Sequence, residues 1–375
     1  MENLSLNDPT QRGVLPHLQG TERLLARAAS RVSGDERSAK VWALPDLYCS
    51  REIERISKGI FSGAAYSWDA SEPMVPTDAH VHCCGVSVFK VGKPPESVGE
   101  FASRLQHAKD ITENASTYKW NVGGGNHFVI LGESQGSPGL EDGHYAIFHS
   151  SGNETAKAHN GLYPKAGNWY SHRIETIEDR SLNRAIRFIR GKVAEQFIKL
   201  AHMEETHNTL RHRYLADLIF GDENIDSEIL SVQHYGMPSA NSVAVGCQWV
   251  KDRIVPLLTA PGKPVYLVRP QEGGPNDVTI GNTPALLFPH GLGRECTEGI
   301  QIQYEQDGVI FNGQRYTEEQ TLMDDPRFRI RPCEISDEGS LPEVIQAMLR
   351  ICKGDITGTI RQVFSYCKGN HLGVR

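Results

Sequence analysis

The feature that most constrains the fold is a stretch of three glycines followed by an Asn-His pair and an apolar run, at Val122 to Leu131. Consecutive glycines let the backbone reach positive φ and approach a ligand closely. The run that follows, Phe128 to Leu131, is short and apolar enough to be a buried strand. The pattern therefore predicts that His127 is held rigidly at the start of a strand, beside open space.

The same arrangement, a short apolar run beside a histidine, recurs further along the chain. It is found at Tyr145 to His149, at Ile229 to His234 and at Ala285 to His290. Each run has the length and apolarity of a buried strand. Four histidines at strand ends are predicted to share one site.

The composition is that of a globular protein, with 375 residues of which 39% are hydrophobic and 23% are charged. No apolar run approaches the roughly 20 residues that a membrane span needs. Met1 to Gly13 carry no secretory signal, so the eight cysteines are expected to be reduced thiols in a cytoplasmic protein. The formal net charge of −7 argues against indiscriminate coating of nucleic acid and leaves local binding open.

The segment from Asp78 to Val86 is the richest in metal-ligating residue types. Clustered Asp, His and Cys side chains are those that borderline metals prefer, and Cys84 stands before a glycine, where a thiolate can be presented. The spacing fits equally well with Cys83 and Cys84 as small buried residues. The cluster alone does not establish a metal site.

Helical periodicity is found at Gly20 to Val32 and, over a longer stretch, at Ser181 to Gly221, which predicts one bent helix or two helices. Within that stretch three histidines, His202, His207 and His212, are five residues apart and are expected at the surface. Four arginines recur there at steps of three and four residues and form either a phosphate-binding stripe or a solvated face paired with acids: Arg180, Arg184, Arg187 and Arg190.

Near the end of the chain, Ser340 and Glu343 form a capping-box pattern that predicts a helix, which Gly354 would end. A strand is expected at Ile360 to Cys367. Before them, His290 is followed by Gly291, Leu292, Gly293 and Arg294. An imidazole without steric cover, with a guanidinium nearby to hold phosphate charge, is what a nucleophile that attacks a nucleotide phosphate needs, although a structural turn can have the same pattern.

Taken in order, these motifs resemble the RtcB family of RNA ligases. The resemblance covers residues from Val41 to the end, so residues 41–375 are predicted to be an RtcB-like catalytic domain and residues 1–40 an N-terminal extension of unknown role. The fold it implies is α+β, with central β-sheets flanked by helices. The matching segments are Leu44 to Leu47, Cys84 to Val86, Gly123 to Phe128, His149 to Gly152, the strand that ends in His234, Gly262 to Val265, His290 to Arg294, and Lys368 with Gly369.

The resemblance implies a GTP- and Mn²⁺-dependent ligase that joins an RNA 3′-phosphate or 2′,3′-cyclic phosphate end to a 5′-hydroxyl end. It implies that His290 forms a covalent guanylyl-histidine. One or two Mn²⁺ ions would be bound, with the second in doubt. The implied metal ligands are Cys84, His127, His149 and His234, and the implied nucleotide contacts are Asn126, Gly291, Gly293, Arg294 and Lys368.

The chain departs from the family at several positions around the substrate phosphates. Val81 stands where the family has a metal-binding Asp, with His82 and Asp78 as candidate replacements, and Ile130 stands where it has a Glu. The segment that begins at His149 lacks the family's Arg. The family's His-Arg-Lys-Gly-Ala segment has no convincing match.

Three hypotheses follow. The first is a divergent RtcB-like RNA ligase for RNA repair or tRNA splicing. The second is a guanylyltransferase that caps another nucleic-acid phosphate end, DNA included. The third is a non-catalytic paralogue that binds nucleotide or metal.

Overall fold

The computed structural model describes residues 1–115, 117–151, 161–322, 325–334, 341–367 and 371–374. None of the helices in these ranges combines the length and the apolarity that crossing a membrane requires. Three short 3₁₀ helices are present at Thr77–Ala79, Ser171–Arg173 and Asp222–Asn224. The α-helices of the described ranges are α1 (Pro9–Ser33), α2 (Ile53–Lys58), α3 (Val98–Asn114), α4 (Gly191–Phe220) and α5 (Glu343–Ile351).

Within the described ranges, more residues lie in strands than in helices. In the first half they are β1 (Glu2–Asn3), β2 (Ala39–Tyr48), β3 (Ser62–Trp68), β4 (Met74–Pro76), β5 (Cys84–Val91), β6 (Phe128–Ser134), β7 (Gly143–Ser151), β8 (Glu175–Asp179) and β9 (Arg184–Arg190). In the second half they are β10 (Ile225–Gly236), β11 (Ser242–Val245), β12 (Cys247–Val250), β13 (Val255–Leu257), β14 (Val265–Pro270), β15 (Asp277–Ile280), β16 (Thr283–Pro289), β17 (Arg294–Cys296), β18 (Ile302–Glu305), β19 (Gly308–Phe311), β20 (Gln314–Thr317), β21 (Phe328–Ile330), β22 (Gly354–Cys367) and β23 (His371–Val374).

A 12-stranded sheet organises the molecule, in the order β1-β2-β3-β11-β10-β5-β7-β6-β22-β14-β13, with β23 paired to β22. Smaller sheets are formed by β12-β16-β15, β4-β9-β8, β18-β19-β20 and β17-β21. The structure is therefore mixed α/β, with a large central sheet and few helices. This is compatible with the predicted α+β class.

Strand β7 shows how the central sheet separates two cores. Successive side chains of a strand point to opposite faces, so Tyr145 and Ile147 pack into one apolar cluster with residues of β14 and β16. Ala146 and Phe148 pack into another, with α3 and α4. A third cluster joins α1 to β2, β3 and β9. Residues 1–40 thus include a strand of the central sheet and a helix whose apolar face lies in this third cluster.

The strand predictions beside the four histidines are confirmed. Phe128 begins β6, His149 lies near the end of β7, His234 near the end of β10, and His290 directly follows β16. The predicted strand at Ile360 to Cys367 is the second half of β22, and the predicted helix at Gly20 to Val32 lies inside α1. The predicted helix near the end of the chain is α5, but it begins at Glu343 with Pro342 at the N-cap, two residues later than a Ser340 cap would place it, and Ser340 itself lies outside the described residues.

The prediction of a continuous helical region from Ser181 to Gly221 is wrong in its first part. Residues Arg184–Arg190 form β9, which pairs with β8 through a turn at Asn183, where φ is +50°. The apolar positions Ile186 and Phe188 follow the two-residue period of a strand, and the helix begins only at Gly191. Tertiary pairing with β4 and β8 outweighs the local helical spacing.

Because residues Arg184–Arg190 form a strand, the four arginines do not form the predicted stripe on one helix face. Arg184 is buried and donates to Thr21 and to the carbonyl of Lys58. Arg187 bonds both oxygens of Asp78 and also contacts Glu54, while Arg190 pairs with acids at the surface. Three of the four guanidiniums therefore serve structural contacts and do not line up as a phosphate-binding face.

Candidate active site

His290 is bonded to a buried aspartate. Its Nδ1 lies 2.6 Å from Oδ2 of Asp46, and its backbone N–H donates to the same oxygen at 3.1 Å. Asp46 is fully buried, whereas the His290 side chain is 15% exposed. Because a carboxylate oxygen accepts, Nδ1 carries the proton, and Nε2 keeps its lone pair. An Asp-His pair of this kind holds an imidazole in the tautomer of a nucleophile or base.

The end of β2, which carries Asp46, and the segment that follows His290 are held together by close contacts. Gly293 has φ of +66°, and a Cβ there would lie 2.3 Å from the carbonyl oxygen of Asp46, so only glycine fits. The buried Arg331 donates to the carbonyls of Leu47 and Leu292. Gln11 of α1 donates to the carbonyls of Pro45 and Leu47. The N-terminal helix therefore supports the end of β2 that carries Asp46.

His290 begins a column of stacked rings. Its ring centroid lies 4.8 Å from that of His234, with the two planes 9° apart. His234 stacks on His149 at 5.0 Å, and His149 stacks on Phe128 at 5.0 Å. His127 meets His149 edge-on at 5.8 Å. The structure thus brings together all four histidines that the sequence placed at strand ends.

His149 and His234 point their Nε2 atoms at each other, 3.1 Å apart. His149 donates its Nδ1 proton to the carbonyl oxygen of Asn126 at 2.7 Å, which leaves its Nε2 as an acceptor. Burial, followed by the nearby His127, lowers the pKa of His149 to about 3. Burial, followed by His290, holds the pKa of His234 well below its ordinary value. Both rings are therefore neutral at neutral pH, and Nε2–H of His234 donates to the lone pair on Nε2 of His149.

The glycine-rich loop reaches these rings by positive backbone angles. Gly123 and Gly125 have φ of +85° and +59°. A Cβ at Gly123 would lie 2.6 Å from the Tyr366 ring, so the loop can pack against β22 only with glycine there. The loop ends in Asn126, whose carbonyl orients His149 and whose side chain is exposed.

Two adjoining cavities open on His290. The first, of about 350 Å³, has apolar walls that include Phe128, Ile130 and Val265, and we call it the apolar cavity. The second, of about 320 Å³, is lined by Glu52, Arg55 and His82, and we call it the polar cavity. Both cavities are lined by Tyr48, Arg51, Gly125, Asn126, His127 and His290. Two ligands could therefore meet at His290 from different sides.

The predicted site residues fall around these cavities. Cys84 and His234 line the polar cavity, and His149 lines the apolar one. Gly291, Gly293 and Arg294 line the apolar cavity beside His290. Arg51 lines the same cavity, so two guanidiniums face one space. Burial, and then Arg51, lower the pKa of Arg294. Lys368 lies outside the described residues.

The residues that depart from the RtcB pattern lie partly in the core and partly at the two cavities. Val81 is packed in the core, and Asp78 is bonded to Arg187, so neither faces the site. His82 lines the polar cavity, with Nδ1 2.7 Å from the Tyr163 hydroxyl and Nε2 3.7 Å from Oε1 of Glu52. Ile130 contributes to the apolar wall. Of the two candidate replacements for the missing Asp, only His82 stands at a cavity.

The donor set fits a metal ion in part. Within the described ranges, no group of three or more His, Cys, Asp or Glu side chains stands close enough to hold an ion without movement. The spacing of the two Nε2 atoms nevertheless suits neighbouring ligands of one ion, since two nitrogens about 2.1 Å from a metal are separated by roughly 3 Å. The bond from His149 Nδ1 to a carbonyl is also typical of metal-ligating histidines. His149 and His234 fit a cation, and Cys84 and His127 line the cavities at which these two rings lie.

Several residues of the site were not assigned a role from the sequence. Asp46 lies in the Leu44 to Leu47 segment, where an acid inside an apolar run signals a buried partner. Arg51, Arg331 and Gln11 contact the site across long sequence separations, and no local pattern indicates them.

Comparison with protein-family models gave no match, and comparison with curated protein sequences gave none.

Proposed function

We propose that this protein is a nucleotidyl-transferring RNA ligase of the RtcB type, which uses GTP and Mn²⁺ to join a 3′-phosphate or 2′,3′-cyclic phosphate end to a 5′-hydroxyl end. One observation carries the proposal: the Nδ1 proton of His290 is held by buried Asp46 at 2.6 Å, which leaves a nucleophilic Nε2 at the junction of two cavities. A histidine so arranged is poised for attack on phosphorus. The eight cysteines, none in a disulfide, accord with a cytoplasmic setting.

In the first step, Nε2 of His290 attacks the α-phosphorus of GTP. A P–N bond forms, the bond from the α-phosphorus to its bridging oxygen breaks, and pyrophosphate leaves. The imidazole gains positive charge as the bond forms, and Asp46 stabilises that charge through Nδ1–H. The proton stays on Nδ1 throughout.

The apolar cavity has the right lining for the nucleotide. Phe128, Val265 and Leu292 offer apolar walls to a planar base, while Arg294 and Arg51 offer charge to the phosphates. The exposed Asn126 side chain also lies there. A guanine contact from Lys368 remains part of the proposal.

A Mn²⁺ ion would be held by His149 and His234, with Cys84 and His127 as further ligands, and when bound it would neutralise phosphate charge. His234 must release the proton that its Nε2 shares with His149 before both nitrogens can bind a cation. The Asn126 carbonyl keeps His149 in the ligating tautomer. His82 is the remaining candidate ligand for a second ion.

The acceptor would enter the polar cavity, which meets the apolar cavity at His290. A 3′-phosphate oxygen attacks the guanylyl-histidine, GMP passes to the RNA end, and the P–N bond breaks. The 5′-hydroxyl oxygen then attacks the activated 3′-phosphate, and GMP leaves. Arg55 and Arg51 line this cavity and would hold the acceptor phosphate.

A ligation assay with defined ends tests the proposal. RNA strands with 3′-phosphate and 5′-hydroxyl ends should be joined with GTP and Mn²⁺, and strands with a 3′-hydroxyl should not. His290→Ala should join neither pair of ends. Its control is His107→Ala, which changes an exposed histidine on α3 and should join the strands as the parent does. Stable GMP caps on RNA or DNA ends without joining would support the guanylyltransferase hypothesis, and GTP binding without any covalent product would support the non-catalytic paralogue.

A further inference from the structure

A buried polar network lies on the face of the sheet opposite the candidate ligands. Ser87 Oγ lies 2.8 Å from His212 Nδ1, and Ser150 Oγ lies 2.7 Å from His212 Nε2. Ser87 Oγ is also 2.9 Å from Ser231 Oγ. The imidazole of α4 thus joins the neighbouring strands β5, β7 and β10. His212 is buried, so its expected surface position is wrong.

Arg211 extends this network toward the end of β7. It is fully buried and donates to Ser150 Oγ at 3.2 Å and to Asn208 Oδ1 at 2.7 Å, as well as to the Ser151 carbonyl. Asn121, just before the glycine-rich loop, donates to that same carbonyl at 2.7 Å. One carbonyl oxygen therefore connects α4, β7 and the start of the loop that carries His127.

The network residues have a regular relation to the candidate ligands. Ser150 follows His149 directly, Ser87 lies three residues after Cys84, and Ser231 lies three residues before His234. Odd separations along a regular strand place two side chains on opposite faces; in β10 the pairing with β5 shifts between Gln233 and Tyr235, and there the contact with His149 places His234 on the front face. Helix α4 and its hydrogen-bond network therefore contact the back face of each strand that carries a candidate metal ligand, within three residues of that ligand.

We propose that Arg211, together with Asn208 and His212, is a positioning device that fixes β5, β7 and β10 relative to one another and thereby sets the spacing of the donor atoms on the front face. The proposal rests on the proposed function, because it concerns the site assigned to nucleotidyl transfer. Apolar side chains would bury this helix face without the cost of desolvating a guanidinium. Directional bonds instead hold donors to within the roughly 0.5 Å that a functional site requires.

The test compares Arg211→Met with Arg213→Met on the same helix. Arg213 is a matched control because, among the described residues, its ion pairs are with Asp217 and Asp222 near the surface. Two quantities are measured on the full chain: the rate of GMP attachment with GTP and Mn²⁺, and the ring ¹⁵N shifts of His149 and His234 without metal. The second does not depend on the chemistry. Ser150→Ala, a milder change in the same network, is the second variant.

Arg211→Met should slow GMP attachment at least about tenfold, as loss of outer-shell support does at metal sites, and should change the His149 ring shifts. Arg211→Lys, which keeps the charge and a donor, should recover part of the rate, and Arg213→Met should behave as the parent does. Folded Arg211→Met and Ser150→Ala proteins with parental rates and shifts would overturn the proposal, as would an unfolded Arg211→Met with an unaffected Ser150→Ala. Changed shifts in a protein whose parent attaches no GMP would support positioning and overturn the proposed function instead.

Discussion

The two faces of β5, β7 and β10 both carry buried histidines, and they differ in how the ring nitrogens are bonded. On the back face, both nitrogens of His212 contact serine hydroxyls. On the front face, Nδ1 of His149 donates to the Asn126 carbonyl, its Nε2 contacts Nε2 of His234, and Nδ1 of His234 has no hydrogen-bond partner in the described part of the chain. Burial lowers the pKa of all three. Burial therefore does not distinguish these histidines, whereas their partners do: serine hydroxyls bond both nitrogens of His212, while the Nε2 atoms of His149 and His234 face each other.

Among changes that keep the size of the side chain, the largest effect is expected from Asp46→Asn. The amide is nearly the same size but carries no charge, so His290 loses both its fixed tautomer and the stabilisation of its positive form. GMP attachment should slow by about a thousandfold or more, measured as the rate of adduct formation. An adduct rate within tenfold of the parent would mean that Asp46 supports only the fold.

A pair of substitutions should distinguish the histidine of the back face from those of the front face by their effects on stability and on GMP attachment. His212→Ala leaves Ser87 and Ser150 without the imidazole and opens a cavity, so it should lower the free energy of unfolding by about 2–4 kcal/mol. His234→Ala removes a ring that borders a cavity and should cost about 1 kcal/mol or less while abolishing GMP attachment. Urea unfolding of the metal-free proteins measures the first quantity. Equal destabilisation by the two changes would contradict the distinction.

The pH dependence of stability should carry the signature of His212. Its pKa is well below the ordinary value because of burial and then Arg211, so the unfolded chain binds a proton that the folded chain does not. The buried neutral ring contributes fully to the free energy of unfolding above about pH 6.5. That contribution is lost as the pH falls, by up to about 1.4 kcal/mol per pH unit. His212→Gln should reduce this slope in urea unfolding between pH 7 and 5. An unchanged slope would show that other groups dominate.

A pH dependence of the opposite sign is expected from Glu205, which α4 places behind β10. Its carboxylate accepts from the Met237 N–H, and burial raises its pKa to about 7. The folded chain therefore holds a proton that the unfolded chain releases, and stability falls as the pH rises from about 4.5 to 7. Glu205→Gln should raise the melting temperature at pH 8 and leave it nearly unchanged at pH 4. A rise of equal size at both values would refute this cause.

Local sequence pattern predicted the strands beside His127, His149, His234 and His290 because each apolar run is long enough to form a buried strand on its own. It failed at Arg184–Arg190, where pairing with two other strands outweighs the helical spacing. No local pattern could indicate that His212 meets Ser87 across 125 residues. The same holds for Asp46, whose partner His290 lies 244 residues away.

The most direct test of the central claim is intact-mass measurement after incubation with GTP and Mn²⁺, for the parent, His290→Ala and the exposed control His107→Ala. The account predicts one added GMP on the parent and on the control, and none on His290→Ala. An adduct that persists in His290→Ala, or a parent that gains no mass with any divalent metal, would contradict the assignment of His290 as the nucleophile.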